Sequence, residues 1–114
     1  MKLNLNTRAV QVKIQSAFKK ALPEMTKLIL DDCNRYCKEE SGELIASSYQ
    51  ATDFNAGILR WDTPYARRQY WYIPTAKTDV NPQAQWKWCE VARQNHRAEW
   101  VAYAKQLFKE NLKK

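Results

Sequence analysis

Glycine and histidine are scarce in this 114-residue chain, which has two glycines, Gly42 and Gly57, and one histidine, His96. Two separated glycines leave no material for a loop that cradles a phosphate with backbone N–H groups. A single histidine on an apolar stripe fits a satisfied core or interface residue better than a general base. Ser47 and Ser48 have no His or Asp close by in sequence, and no carboxylate pair stands out from helix-surface charge. The chain therefore reads as a non-enzyme that needs no cofactor. No apolar run approaches the ~20 residues that span a bilayer. Met1-Lys2-Leu3-Asn4-Leu5-Asn6 alternates polar and apolar residues and has no apolar h-region, so it does not read as a signal peptide.

Cysteine is also sparse. Three is an odd number without framework spacing, which points to reduced thiols in a cytosolic chain. Cys33 and Cys37 lie four apart on one expected helix, and Cys89 and His96 lie seven apart on another. Packed together, the four could in principle gather as a zinc site. The spacing lacks the tight knuckle of zinc motifs, and Cys favours buried stripes as a small hydrophobe. No metal is expected.

Aromatic and basic residues are what the chain has. Five Trp, six Tyr and 45% hydrophobic residues exclude an intrinsically disordered chain. At this length, residues 1–114 read as one domain. Nineteen Lys and Arg against twelve Asp and Glu give a net charge of +7, unevenly placed. Residues 1–40 carry +3, residues 41–82 carry zero and residues 83–114 carry +4. The excess thus falls on the two flanking segments, and the longest basic runs are pairs, which suits a solvated helix face better than a nucleic-acid footprint.

Periodicity supplies the expected elements. Residues 2–6 read as a short strand. Val10, Ile14, Ala17, Phe18, Ala21, Leu22, Met25, Leu28, Ile29, Cys33 and Tyr36 then form one apolar stripe, predicting a helix of roughly 28–32 residues. Pro23 inside it predicts a kink or break near residues 19–22, or two helical pieces. Residues 43–52 and 57–62, separated by Asp53-Phe54-Asn55-Ala56, predict a β-hairpin. Pro64, Pro74 and Pro82 mark residues 62–82 as irregular, with one helical turn possible over Tyr65 to Gln69. Asn81-Pro82 predicts the start of a final helix, with Trp88, Cys89, Ala92, His96, Trp100, Ala104, Leu107 and Phe108 as its stripe. At 1.5 Å per residue that helix would run roughly 45 Å. The expected fold class is α+β: long N-terminal and C-terminal helices packed on a small antiparallel β-sheet.

Trp61, Tyr65, Tyr70, Trp71 and Tyr72 place five of the fourteen aromatics within twelve residues. Trp, Tyr and Arg carry disproportionate energy at interfaces. In so small a domain, Trp61 and Tyr65 are expected in the core. Arg67, Arg68, Tyr70, Trp71 and Tyr72 are read as partner-facing, with Arg68, Trp71 and Tyr72 foremost. Trp86, Arg93 and Arg97 lie off the Trp88–Trp100 stripe and extend that candidate interface.

Several motifs look familiar together. Asp32-Cys33-Asn34-Arg35-Tyr36 leads into Ser41-Gly42-Glu43-Leu44 and Ser47. Gly57-Ile58-Leu59-Arg60-Trp61-Asp62-Thr63-Pro64-Tyr65-Ala66-Arg67-Arg68-Gln69-Tyr70 follows, then Asn81-Pro82-Gln83-Ala84, Trp86, Trp88 and Trp100. Over about residues 31–104 the chain resembles the small minor capsid proteins of tailed bacteriophages of Gram-positive hosts, within the wider group of head–tail joining or tail-completion proteins. Ser41 stands where the pattern has Thr, and the Cys pair lies outside the pattern. The resemblance implies a structural virion protein without an active site. It implies a homo-oligomeric ring in the virion neck, assembled in the host bacterial cytoplasm, that joins the head connector to the tail. Its implied partners are further copies of itself and neighbouring neck and tail proteins. Genomic DNA would be met at most non-specifically in the ring lumen, and no membrane is involved. A ring needs two different patches that meet on successive subunits. A small basic nucleic-acid-binding module and a helical partner-binding protein of unrelated origin are the competing readings.

Overall fold

The computed structural model describes residues 7–38, 42–71 and 81–113. They form four helices: α1, Thr7–Asn34; α2, Glu43–Ala51; α3, Ala66–Trp71; and α4, Trp88–Leu112. Among the described residues there is no β-strand, which overturns the expected antiparallel sheet. The segment 43–52, read as a strand, is helical because its buried positions, Leu44 and Ser48, are four apart and so share one helix face. The segment 57–62 has no strand partner: a single antiparallel bridge joins Asp53 and Ile58, and it closes a tight loop rather than starting a ladder. The expected strand at residues 2–6 lies outside the described residues.

The two long helices are present. Pro23 sits within α1, which runs through it as one helix rather than two pieces. α4 starts six residues later than Asn81-Pro82 suggested. Asn81 serves as a clamp instead of a cap. Its Nδ2 donates to the carbonyls of Arg35 and Cys37, at 2.7 and 2.9 Å, and its Oδ1 accepts from the Gln83 N–H. The backbone N–H groups of Gln85 and Lys87 donate to the carbonyls of Tyr36 and Tyr70. Residues 81–87 are thereby tied down as a turn, and Lys87 enters α4 in the left-handed region, at φ 51°.

α1 and α4 form the main helix–helix interface. They run antiparallel: Tyr36 meets His96, Asp32 meets Trp100, and Ala17 meets Asn111. Buried Ala17, Ala21 and Ala92 keep the interface free of bulk and let the helices approach. The largest fully buried side chain is Trp88, which anchors a core cluster with Cys33, Cys37, Leu44, Ala66 and Ala92. Trp61 and Tyr65 pack against this cluster as partly buried side chains, in line with their expected core role.

The last turn of α1 gathers the elements. Buried Asp32 accepts the Trp100 indole N–H of α4 at 2.6 Å and pairs with Arg35. Asn34 donates to Ser48 Oγ of α2 and accepts the Trp61 indole N–H, both at 2.9 Å. Burying polar groups this deeply is tolerable because each has its partner. Gly57 fits the loop against α1: its φ is +72°, and a Cβ there would stand 2.9 Å from Leu22 Cδ1.

Candidate interaction site

α3 is a single short helix that follows the Thr63 carbonyl, which accepts the Ala66 N–H. It turns Tyr70 inward and leaves Arg67, Arg68 and Trp71 outside. Tyr70 packs edge-on against Trp88, with centroids 4.7 Å apart, and Trp61 meets the same indole at 5.7 Å. Edge-to-face contacts of this kind add to simple burial. Between them lies a surface cavity of about 250 Å³, lined by Trp61, Arg67, Tyr70, Trp71, Trp88 and Cys89 among others. Trp88 Nε1 is buried and has no hydrogen-bond partner.

Lys87 joins α3 to the turn before α4. Its ammonium lies 4.6 Å from the Trp86 ring centroid and 5.5 Å from that of Trp71. A cation held over two indoles fixes two rings that are each about half exposed. The sequence reading singled out Trp71 and Trp86 but missed Lys87, which enters α4 with a left-handed backbone and sets its ammonium near both rings.

The remaining expected interface residues divide by place. Arg93 and Arg97 are exposed on α4, where with Glu90 and Gln94 they line a shallow depression of about 310 Å³. Arg97 also borders a flatter apolar stretch with Ala98, Val101 and Ala102. Arg67, Arg68, Trp71 and Trp86 therefore belong to the α3 end of the molecule, and Arg93 and Arg97 to the neighbouring face of α4. Tyr70 is half-buried and holds the core as well as lining the cavity. Tyr72 lies outside the described residues.

Sequence reading also placed Val10, Ile14 and Phe18 on the stripe that α1 would bury. The structure leaves them exposed, Phe18 at 60% and Val10 at 53%. With Ala17 level with Asn111, the first turns of α1 pass the end of α4 at Leu112.

The cysteines and His96 do not gather as one four-ligand set. Cys33 and Cys89 are in hydrogen-bond contact, which together with burial pushes the Cys33 thiol up, while the Cys33 hydrogen bond holds the Cys89 thiol down. Burial, followed by the nearby Cys89, raises the Tyr70 phenol. His96 is engaged elsewhere: its Nε2 shares a hydrogen bond with the Tyr36 hydroxyl at 2.8 Å, and its Nδ1 faces Glu99 Oε2 at 3.1 Å. Asp32, His96 and Glu99 bring three potential ligand atoms within 4.8 Å. Those atoms already serve Trp100, Arg35 and one another, so the group reads as the polar seam between α1 and α4.

Among the described residues, no helix is long and apolar enough to cross a membrane. Compared with known proteins, the chain matches no family model, no curated protein and no solved structure.

Proposed function

We propose that this chain is a structural assembly subunit, a ring-forming component of a tailed-phage neck that joins the head connector to the tail. The observation that carries the reading is the surface it leaves uncovered. Exposed Trp71 and Trp86, fixed over Lys87, sit beside exposed Arg67 and Arg68, and Val10, Val12, Ile14 and Phe18 stand exposed on α1. Large aromatic and apolar side chains left open to water mark contact surfaces. Rings and guanidinium groups are the types that carry binding energy there. The resemblance over residues 31–104 supplies the setting in which such surfaces would be used. The residues it rests on include Asp32, Asn34, Trp61 and Asn81, which hold the fold together.

The test is the double substitution Arg68→Ala with Trp71→Ala, introduced into the phage. The isolated variant should stay folded, because both side chains are exposed, with a melting temperature only slightly lowered by the lost Trp71 contacts to Tyr70 and Lys87. Electron microscopy should show filled heads that fail to join tails. Normal joined virions would remove α3 from the interface.

A nucleic-acid-binding reading is favoured by one arrangement, the Arg67, Arg68 and Lys87 cations around two exposed indoles. Such a surface binds single strands without sequence preference and with a steep loss of affinity as salt rises. Tight single-strand binding at low salt by a chain that particles do not incorporate would replace the assembly reading.

A further inference from the structure

Among the described residues, the apolar side chains with the highest exposures stand on a stretch of one-sided charge. Residues 7–23 of α1 hold Arg8, Lys13, Lys19 and Lys20 and no carboxylate. On this stretch Val10, Ile14 and Phe18 repeat at four-residue spacing and continue the stripe by which Ala17 and Ala21 pack on α4. Beyond the end of α4 that stripe has lost its cover. We refer to residues 7–20 as the arm.

A second exposed surface has the opposite character. α2 and the loop after it carry Glu43, Asp53 and Asp62 against Arg60 alone over residues 42–65. These four side chains are exposed, as are Tyr49, at 43%, and Ile58, at 47%. The loop is held rigidly in place. The Asp62 N–H donates to Ser47 Oγ, the Arg60 N–H donates to Thr52 Oγ1, and Asp53 and Ile58 exchange backbone hydrogen bonds at 2.9 and 3.1 Å. Tyr49 O–H is fixed by Asp31 Oδ1 at 2.7 Å, so its ring is presented rather than mobile.

We propose that the arm of one copy docks on the α2–loop face of a second copy. Deepening the ring reading above, on which it rests, this assigns the two unlike patches that a repeating head-to-tail contact requires. Phe18, Ile14 and Val10 would lie against Ile58 and Tyr49, with Lys13 and Lys20, seven residues apart on one flank of that stripe, reaching toward Asp53, Asp62 and Glu43. Opposite charge around an apolar centre sets register and partner choice. The outer face of α4 is a poorer receiver for the arm. Its Arg93, Arg97 and Lys105 repeat the arm's own sign.

Sedimentation velocity on the full chain tests the contact, run over a concentration series at about 50 mM and about 500 mM salt. The wild type should associate as concentration rises, with the dissociation constant weakened about tenfold or more at the higher salt. Lys13→Glu with Lys20→Glu, and separately Asp53→Lys with Asp62→Lys, should each give monomers of unchanged circular dichroism. Mixing these two variants should restore association, because each then offers the charge that the other lacks. Phe18→Ser should abolish association at both salts. A wild type that stays monomeric throughout, or variants that associate as it does, would overturn the proposal. So would an arm that binds phosphatidylcholine vesicles containing phosphatidylglycerol, while the chain does not self-associate. Failure here is separable from failure of the neck reading. A protein found in virions yet monomeric by itself would reject this contact alone. One that self-associates through the arm yet is absent from particles would reject the neck.

Discussion

Both ends of the Asn34 amide are engaged at depth, one with Ser48 of α2 and the other with the Trp61 indole N–H. Replacing Asn34 by Ala removes both partners at once and leaves a partly buried indole donor with nothing to bond. Unmade buried hydrogen bonds cost more than made ones contribute. Asn34→Ala should therefore lower the unfolding free energy by about 2–3 kcal/mol in urea titrations. A loss under about 0.5 kcal/mol, the level of ordinary surface changes, would show that water replaces the amide and that Asn34 is not a hub. Sequence alone gave Asn34 no such weight, because polar residues near a helix end are common. What the sequence did offer was the familiar run from Asp32 to Tyr36, and the structure gives that run a physical job. Asp32 reaches α4, Cys33 meets Cys89, Asn34 ties α2 to the Trp61 segment, and Tyr36 holds His96. The aromatic residues were more legible. Trp61 and Tyr65 are large enough that a small core must use them, whereas Lys87 drew no notice because a left-handed lysine leaves no trace in periodicity.

Helices were legible in proportion to the apolar positions that reported their period. Ten such positions fall within α1, and its length is as expected from them, although Val10, Ile14 and Phe18 are left exposed. α2 has nine residues and buries only Leu44 and Ser48. One of those is polar, so the helical period is hidden and a strand reading wins by default. Asn81-Pro82 misled for a different reason: the Asn side chain is drawn to carbonyls at the end of α1, a tertiary contact that no local signal contains. Pro23 provides the test at this scale. It sits inside an unbroken α1, where it cannot donate to the Lys19 carbonyl. The hydroxyl of Thr26 donates to the Leu22 carbonyl, at 2.7 Å, which supports the same turn. Pro23→Ala restores the missing donor, and the gain is reduced because Ala loosens the unfolded chain. The net expectation is a stabilisation of about 1–2 kcal/mol, read as a melting temperature higher by roughly 5 °C. An unchanged or lower value would mean that the ring of Pro23 packs well enough to outweigh the lost hydrogen bond.

The molecule as a whole is 69 Å long and 25 by 21 Å across, with a radius of gyration of 18.3 Å. A compact chain of this size would have a radius of about 13 Å. Two helices of 28 and 25 residues, staggered along one axis and covered at only one end by α2, α3 and the loops, contribute to that elongation. A layout of this kind leaves stability unevenly distributed, because local opening is easiest where few apolar contacts must be broken. Short helical segments without tertiary cover are marginal in water. Hydrogen exchange should therefore divide α1. In dilute solution, amides of residues 11–16 should exchange about a hundredfold faster than those of residues 26–34, whose side chains include buried Thr26, Leu30 and Cys33. As the chain is concentrated, protection should spread into residues 11–16, since a docked arm has its apolar stripe covered. The Asp53→Lys with Asp62→Lys variant should show the fast exchange at every concentration, because its receiving face repels the arm. Uniform protection along α1 in the dilute monomer would mean that the arm is already covered by its own chain. The elongated shape would then be a property of the isolated fold, and the arm would have no role in joining one copy to the next.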